Sequence, residues 1–113
     1  MTRDNLVYLK HIIDAIDRIE EYTKDSKRDG FMSSTLVQAA VVRELEIIGE
    51  ATKRLGAQIK KGYPDVPWKK IAGMRDKLIH DYFGVDLDAV WETVERDIPA
   101  LRKRIEDILK DGI

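Results

Sequence analysis

Leu6, Leu9, Ile12, Ile13, Ile16 and Ile19 return at intervals of three and four residues, and this period constrains the fold more than any other feature of the chain. Side chains at that spacing share one stripe of a helix with 3.6 residues per turn, whereas a strand would scatter them over two faces. Asp14, Asp17, Arg18, Glu20 and Glu21 fill the other directions. An amphipathic helix is therefore predicted from about Asn5 to Lys24, with Asp4 as its N-cap. The turn residues and charges of "KDSKRDG" (Lys24–Gly30) then break the pattern.

A second helix is predicted from Ser33 or Ser34 to about Ile59. Leu36, Ala40, Leu45, Ile48, Ala51 and Leu55 mark it as a central helix with several neighbours, and Gly49 marks a close helix approach. After the linker "KKGYPDVPW", Pro67 suits the first position of a short helix that carries Trp68, Ile71 and Met74 inward and runs on until Gly84. Asp86 caps a last helix striped by Val90, Trp91, Val94, Ile98, Leu101, Ile105 and Ile108, with a kink near Asp97 imposed by Pro99. No strand-like alternation extends beyond a few residues. The expected fold is all-α, an up-and-down bundle of four or five helices.

With 113 residues the chain suffices for one domain, 1–113, around one modest core. It has no cysteine, which excludes a disulfide scaffold and thiolate metal sites. No apolar run approaches the roughly 20 residues needed to span a bilayer, and "MTRDNLVYLKH" lacks the apolar segment of a signal peptide, so a cytoplasmic protein without membrane attachment is expected. Net charge is −1, unlike that of a general polyanion binder, but it is unevenly spread. Residues 53–77 hold 8 basic and 2 acidic side chains, a net of +6 between two acidic flanks. Such a segment is either a solvated lysine-rich surface or a phosphate-attracting patch.

The basic segment runs into "MRDKLIHDYFGVD" (Met74–Asp86), which holds Arg75, Asp76, His80 and Tyr82. A guanidinium offers fixed, permanently charged donors to phosphate oxygens, and an imidazole exchanges protons near neutral pH. Together they suit cleavage of RNA, in which the 2′-OH attacks the adjacent phosphorus and no metal is strictly needed. On a regular helix, however, residues 75 and 80 point about 140° apart. A helix end near Ile79 or a second subunit must complete such a site. Asp76 and His80, four apart, would be neighbours on that regular helix.

Other chemistry finds less support. His11 and His80 are the only histidines, and neither HxxxH nor HExxH spacing occurs. His11 reads as a core-edge residue. Glu46 and Glu50 read first as part of a polar helix face, and only secondarily as RNA-orienting groups. Glycine-rich phosphate loops and nucleophile elbows are absent.

"RDKLIHDYFGVD" resembles the R-x4-H-x-Y signature of HepT-like HEPN proteins, the toxins of HepT–MntA toxin–antitoxin pairs. "VVRELEIIGEATKRL" and "YPDVPWKKIAGMRDKLIHDYFGVDLDAVWETVERDIPAL" extend the likeness in order and spacing over nearly the whole chain. The resemblance implies an all-α HEPN homodimer whose motifs meet in a cleft between subunits. It also implies a metal-independent, cofactor-free endoribonuclease acting on tRNA or mRNA. Arg75 would bind the phosphate and His80 would be the general acid/base. Tyr82 would be AMPylated by an MntA-like nucleotidyltransferase antitoxin, which adds charge and bulk where RNA phosphate must sit. The family commonly has asparagine after the motif arginine, whereas this chain has Asp76, which could instead orient His80. The alternative is a non-catalytic helical partner or substrate-binding subunit of a nucleotidyltransferase.

Overall fold

A computed structural model describes residues 1–80 and 84–112, the side chain of His80 excepted. It is a helical bundle built on two long helices, α1 (Arg3–Thr23) and α3 (Thr35–Arg54). The predicted stripe faces inward: Leu9, Ile12, Ile16 and Ile19 are fully buried against Val41, Leu45 and Ile48 of α3. Burial of each such side chain stabilises by about 1.5–3 kcal/mol. Leu36 departs from the expectation at 79% exposed, while the next residue, Val37, packs against the core.

Two polar contacts fix how these helices lie. Arg18 Nε sits 2.8 Å from Glu44 Oε1, and Asn5 Oδ1 accepts from the Gly56 amide at 2.9 Å. The start of α1 therefore meets the end of α3, an antiparallel pair. Glu44 is a buried carboxylate, and its second oxygen accepts from the Tyr22 hydroxyl at 3.2 Å, so neither oxygen lacks a partner.

Helix boundaries differ from the expectation in several places. Thr2, not Asp4, caps α1, its hydroxyl accepting from the Asn5 amide. The Lys24–Gly30 turn already contains the start of a short helix, α2 (Arg28–Met32). Ser34 caps α3 as anticipated, but that helix stops at Arg54, where Leu55 turns extended. Gly56, held by Asn5, then begins α4 (Ala57–Gly62).

Pro67 precedes the helix it was expected to begin, and that helix is cut at Gly73 into α5 (Trp68–Ala72) and α6 (Met74–Leu78). Gly49 does mark a close approach: a Cβ there would lie 3.4 Å from the carbonyl oxygens of Ile71 and Ala72. The last helix begins as α7 (Leu87–Glu92), and Asp86 caps it through a bond from the Ala89 amide. A π-helical turn, Thr93–Asp97, then leads into α8 (Ile98–Asp111), with Pro99 in its first turn. The kink expected near Asp97 is thus a widened turn, a single-turn π-bulge of the kind found inside α-helices.

α8 lies antiparallel along α1, where Arg102 binds Glu20 at 2.6 Å and also Asp17. These carboxylates hold the Arg102 guanidinium pKa above its ordinary value. α7 meets α2 through Phe31 and Trp91, whose rings pack 5.3 Å apart between centroids with their planes tilted by 34°. The buried apolar residues form one contiguous cluster. No helix among the described residues is long and apolar enough to cross a membrane.

Candidate functional site

The motif segment owes its shape to a helix that ends early. Met74 and Leu78, four residues apart, are buried on one face of α6, which leaves Arg75, Asp76 and Lys77 exposed between them. Ile79 is extended (φ −113°, ψ 116°), and Ile79–His80 (β1) pairs antiparallel with Gly84–Val85 (β2). The Leu78 carbonyl accepts from the Asp86 amide at 2.9 Å, closing the excursion. Gly84 takes φ +77°, a left-handed conformation that costs an L side chain about 1–2 kcal/mol.

Of the two geometries open to the motif, a helix end near Ile79 is therefore realised, and the helix does not run to Gly84. The helical relation between Asp76 and His80 disappears with it. Asp76 is instead 81% exposed in its side chain, with Oδ1 3.6 Å from Arg75 Nη1. The side chain of His80 lies outside the described residues, as does Tyr82.

Arg75 reaches toward α3, where its Nε lies 3.5 Å from Glu46 Oε2. The guanidinium is half exposed and sits at the side of an open groove. Ile47 and Ala51 of α3 contribute apolar lining, and Arg43, Glu46, Glu50 and Arg54 add charged groups. Tyr8 and His11 enter from α1. Glu50 pairs with Arg54 at 3.4 Å, so each groove carboxylate has its own arginine.

The groove brings together residues that were read separately. His11 is exposed, not a core-edge residue, and packs edge-on to Tyr8 with ring centroids 6.1 Å apart. Glu46 and Glu50 belong to the same surface as Arg75. Arg43, Arg54 and Tyr8 were not singled out from the sequence, although a signal existed. Residues 43, 46, 50 and 54 recur every three or four positions, a charged stripe beside the apolar one on the same helix.

The basic segment is divided among several elements. Lys60, Lys61, Lys69 and Lys70 surround a shallow depression between α4 and α5, while Arg54 and Arg75 belong to the groove. An apolar cavity of about 210 Å³ lies on another side of α6, lined by Ile71, Met74, Ile98 and Leu101. Arg75 lines the groove and not this cavity.

A model of the family "Ribonuclease HepT-like" matches residues 12–108. The chain belongs to the HepT-like ribonuclease family. A protein of Thermococcus cleftensis named "Probable ribonuclease HepT" is 46% identical over 97% of this chain and 100% of its own length. One from Methanocaldococcus jannaschii, named as a "Putative RNase", is 46% identical over 96% of this chain and 94% of its own. Another from that organism is named "Gamma-glutamylcyclotransferase and putative RNase". It is 49% identical over 98% of this chain, which spans 50% of that longer protein. No solved structure matches the chain. The matched span includes the R-x4-H-x-Y segment, whose arginine stands half exposed at an open groove.

Proposed function

We propose that this chain is a metal-independent endoribonuclease toxin of a toxin–antitoxin pair, active as a homodimer. The observation that carries this reading is the presentation of Arg75. The early end of α6 leaves it between two buried anchors, with Nε toward Glu46 and the guanidinium half exposed at the groove. A guanidinium so oriented suits bidentate binding of a phosphate and stabilises the charge of a phosphorane.

In the proposed reaction the 2′-oxygen of one nucleotide attacks its own 3′-phosphorus as a base removes the hydroxyl proton. The bond to the 5′-oxygen of the next nucleotide breaks, and an acid protonates that oxygen. The products are a 2′,3′-cyclic phosphate and a 5′-hydroxyl. His80 serves as acid/base, and two copies facing each other across a two-fold axis can divide the two proton transfers. Tyr82 is the residue AMPylated by an MntA-like nucleotidyltransferase antitoxin, which blocks the phosphate site by charge and bulk.

The purified protein is expected to cut tRNA or mRNA in EDTA, and Arg75→Ala and His80→Ala to abolish cutting with helical circular dichroism intact. Equal cleavage by wild type and His80→Ala overturns the reading. With the antitoxin and ATP, mass spectrometry is expected to find one AMP on wild type and none on Tyr82→Phe. Asp76 favours the competing reading of a non-catalytic partner, because its carboxylate stands 3.6 Å from the guanidinium that must meet phosphate. Tight binding of the nucleotidyltransferase without cleavage of any RNA is the outcome of that reading.

A further inference from the structure

We propose that the groove beside Arg75 holds an unpaired stretch of the RNA. Arg43 takes a phosphate adjacent to the one at Arg75, and His11 stacks against a base. This rests on the ribonuclease reading and deepens it, assigning a single-stranded substrate and two binding residues outside the R-x4-H-x-Y motif.

Among the described residues the groove is lined by three arginines and two glutamates. Glu46 is engaged with Arg75 and Glu50 with Arg54, and Arg43 has no ion-pair partner among the described residues. Among the described residues it is thus the groove arginine without an ion-paired carboxylate, available to an anion. Arg43 and Glu46 are three residues apart on α3, hence on one face and roughly 5 Å apart along the axis. Glu46 in turn contacts Arg75. Arg43 thus stands about one helical turn from the Arg75 pair, a step comparable with that between successive phosphates of one strand.

The aromatic pair supplies the second, separate observation. His11 is exposed, while half-buried Tyr8 lies edge-on to it at an interplanar angle of 78°. That contact braces the imidazole ring while leaving it open to solvent. An exposed, braced ring beside bound phosphates is a stacking platform for a base. A duplex keeps its bases stacked inside, so only an unpaired segment can use it.

The test is fluorescence anisotropy with a labelled single-stranded 2′-O-methyl hexanucleotide of mixed sequence, in which attack by the 2′-oxygen is blocked and binding is read alone. The single strand is expected to bind at least tenfold tighter than the same strand annealed to its complement. Arg43→Ala is expected to weaken binding about tenfold and to lower the slope of log affinity against log salt by about one. His11→Ala is expected to lose about tenfold, with His11→Phe restoring most of it. If Arg43→Ala and His11→Ala bind as wild type, or duplex binds as well as single strand, the groove proposal falls. The ribonuclease reading stands in that case provided wild type still cuts RNA and Arg75→Ala does not. Absence of both binding and cleavage overturns the two together.

Discussion

The α1–α3 pair and the α5–α6–β1 segment are built by different means. The first consists of helices of 21 and 20 residues whose buried apolar stripes pack on each other. The second consists of two five-residue helices and a two-residue strand, too short to persist alone in water. They hold their shape through Trp68, Ile71, Met74 and Leu78, which anchor them to the rest of the bundle. The segment that carries Arg75 is thus the less able of the two to support itself. Its geometry is borrowed from α3, whose Gly49 admits the carbonyls of α5 and whose Glu46 meets Arg75.

The contrast is sharpened most by pairing one substitution from each region. Ile16→Ala, in the fully buried α1 stripe, is expected to cost about 2–5 kcal/mol in denaturant unfolding. Arg75→Ala, at a half-exposed position, is expected to stay within about 0.5 kcal/mol while cleavage disappears. A large stability loss in Arg75→Ala breaks the separation of roles.

Gly49→Leu tests the dependence of one region on the other. Its side chain must displace the backbone of α5, with an expected cost of about 1–3 kcal/mol and reduced cleavage, because α6 moves with its neighbour. Gly49→Ala only reaches contact distance and is expected to stay near wild type in both measurements.

Gly84→Ala acts inside the motif segment. The left-handed φ of +77° is expected to cost about 1–2 kcal/mol, with a loss of RNA cleavage larger than that destabilisation explains. Cleavage that falls only as far as the folded fraction removes the claim that the β1–β2 pairing shapes the site.

The smallest effect belongs to the polar staple of the long helices. Burial, then the hydrogen bond to Glu44, raises the Tyr22 hydroxyl above its ordinary pKa. At a pH above the unfolded value near 10, the unfolded chain loses this proton while the folded one keeps it. The contribution is therefore complete below about pH 10 and fades as pH rises through the folded pKa. Unfolding of wild type and Tyr22→Phe between pH 9 and 11 is expected to show a shallower alkaline decline in the variant, provided Tyr63, raised chiefly by burial, is left in place in both.

How much was legible from sequence follows the same division. The inward stripes of α1 and α8, the Asp86 cap and the close approach at Gly49 were all readable, and the cap of α3 was narrowed to Ser33 or Ser34, because each depends on residues a few positions apart or on glycine itself. The α3–α4 break was missed: Leu55 continues the apolar stripe, and Gly56 is held by Asn5 from 51 residues away. The groove was half legible. Its charged stripe on α3 has a helical period, but the neighbouring His11 and Arg75 come from other helices. No spacing in the sequence links them.

Near-neighbour patterning encodes an all-α chain and its core stripes, and places Arg75, His80 and Tyr82 in a single short segment. It also determined that one straight helix could not gather the first two. Tertiary structure alone decided that α6 ends at Leu78, where the chain has neither glycine nor proline. Pairing of Ile79 with Val85 and burial of Met74 and Leu78 outweigh the local tendency to continue the helix. Helical period is encoded between near neighbours, whereas the end of α6 and the Glu46–Arg75 contact depend on groups that only folding brings together.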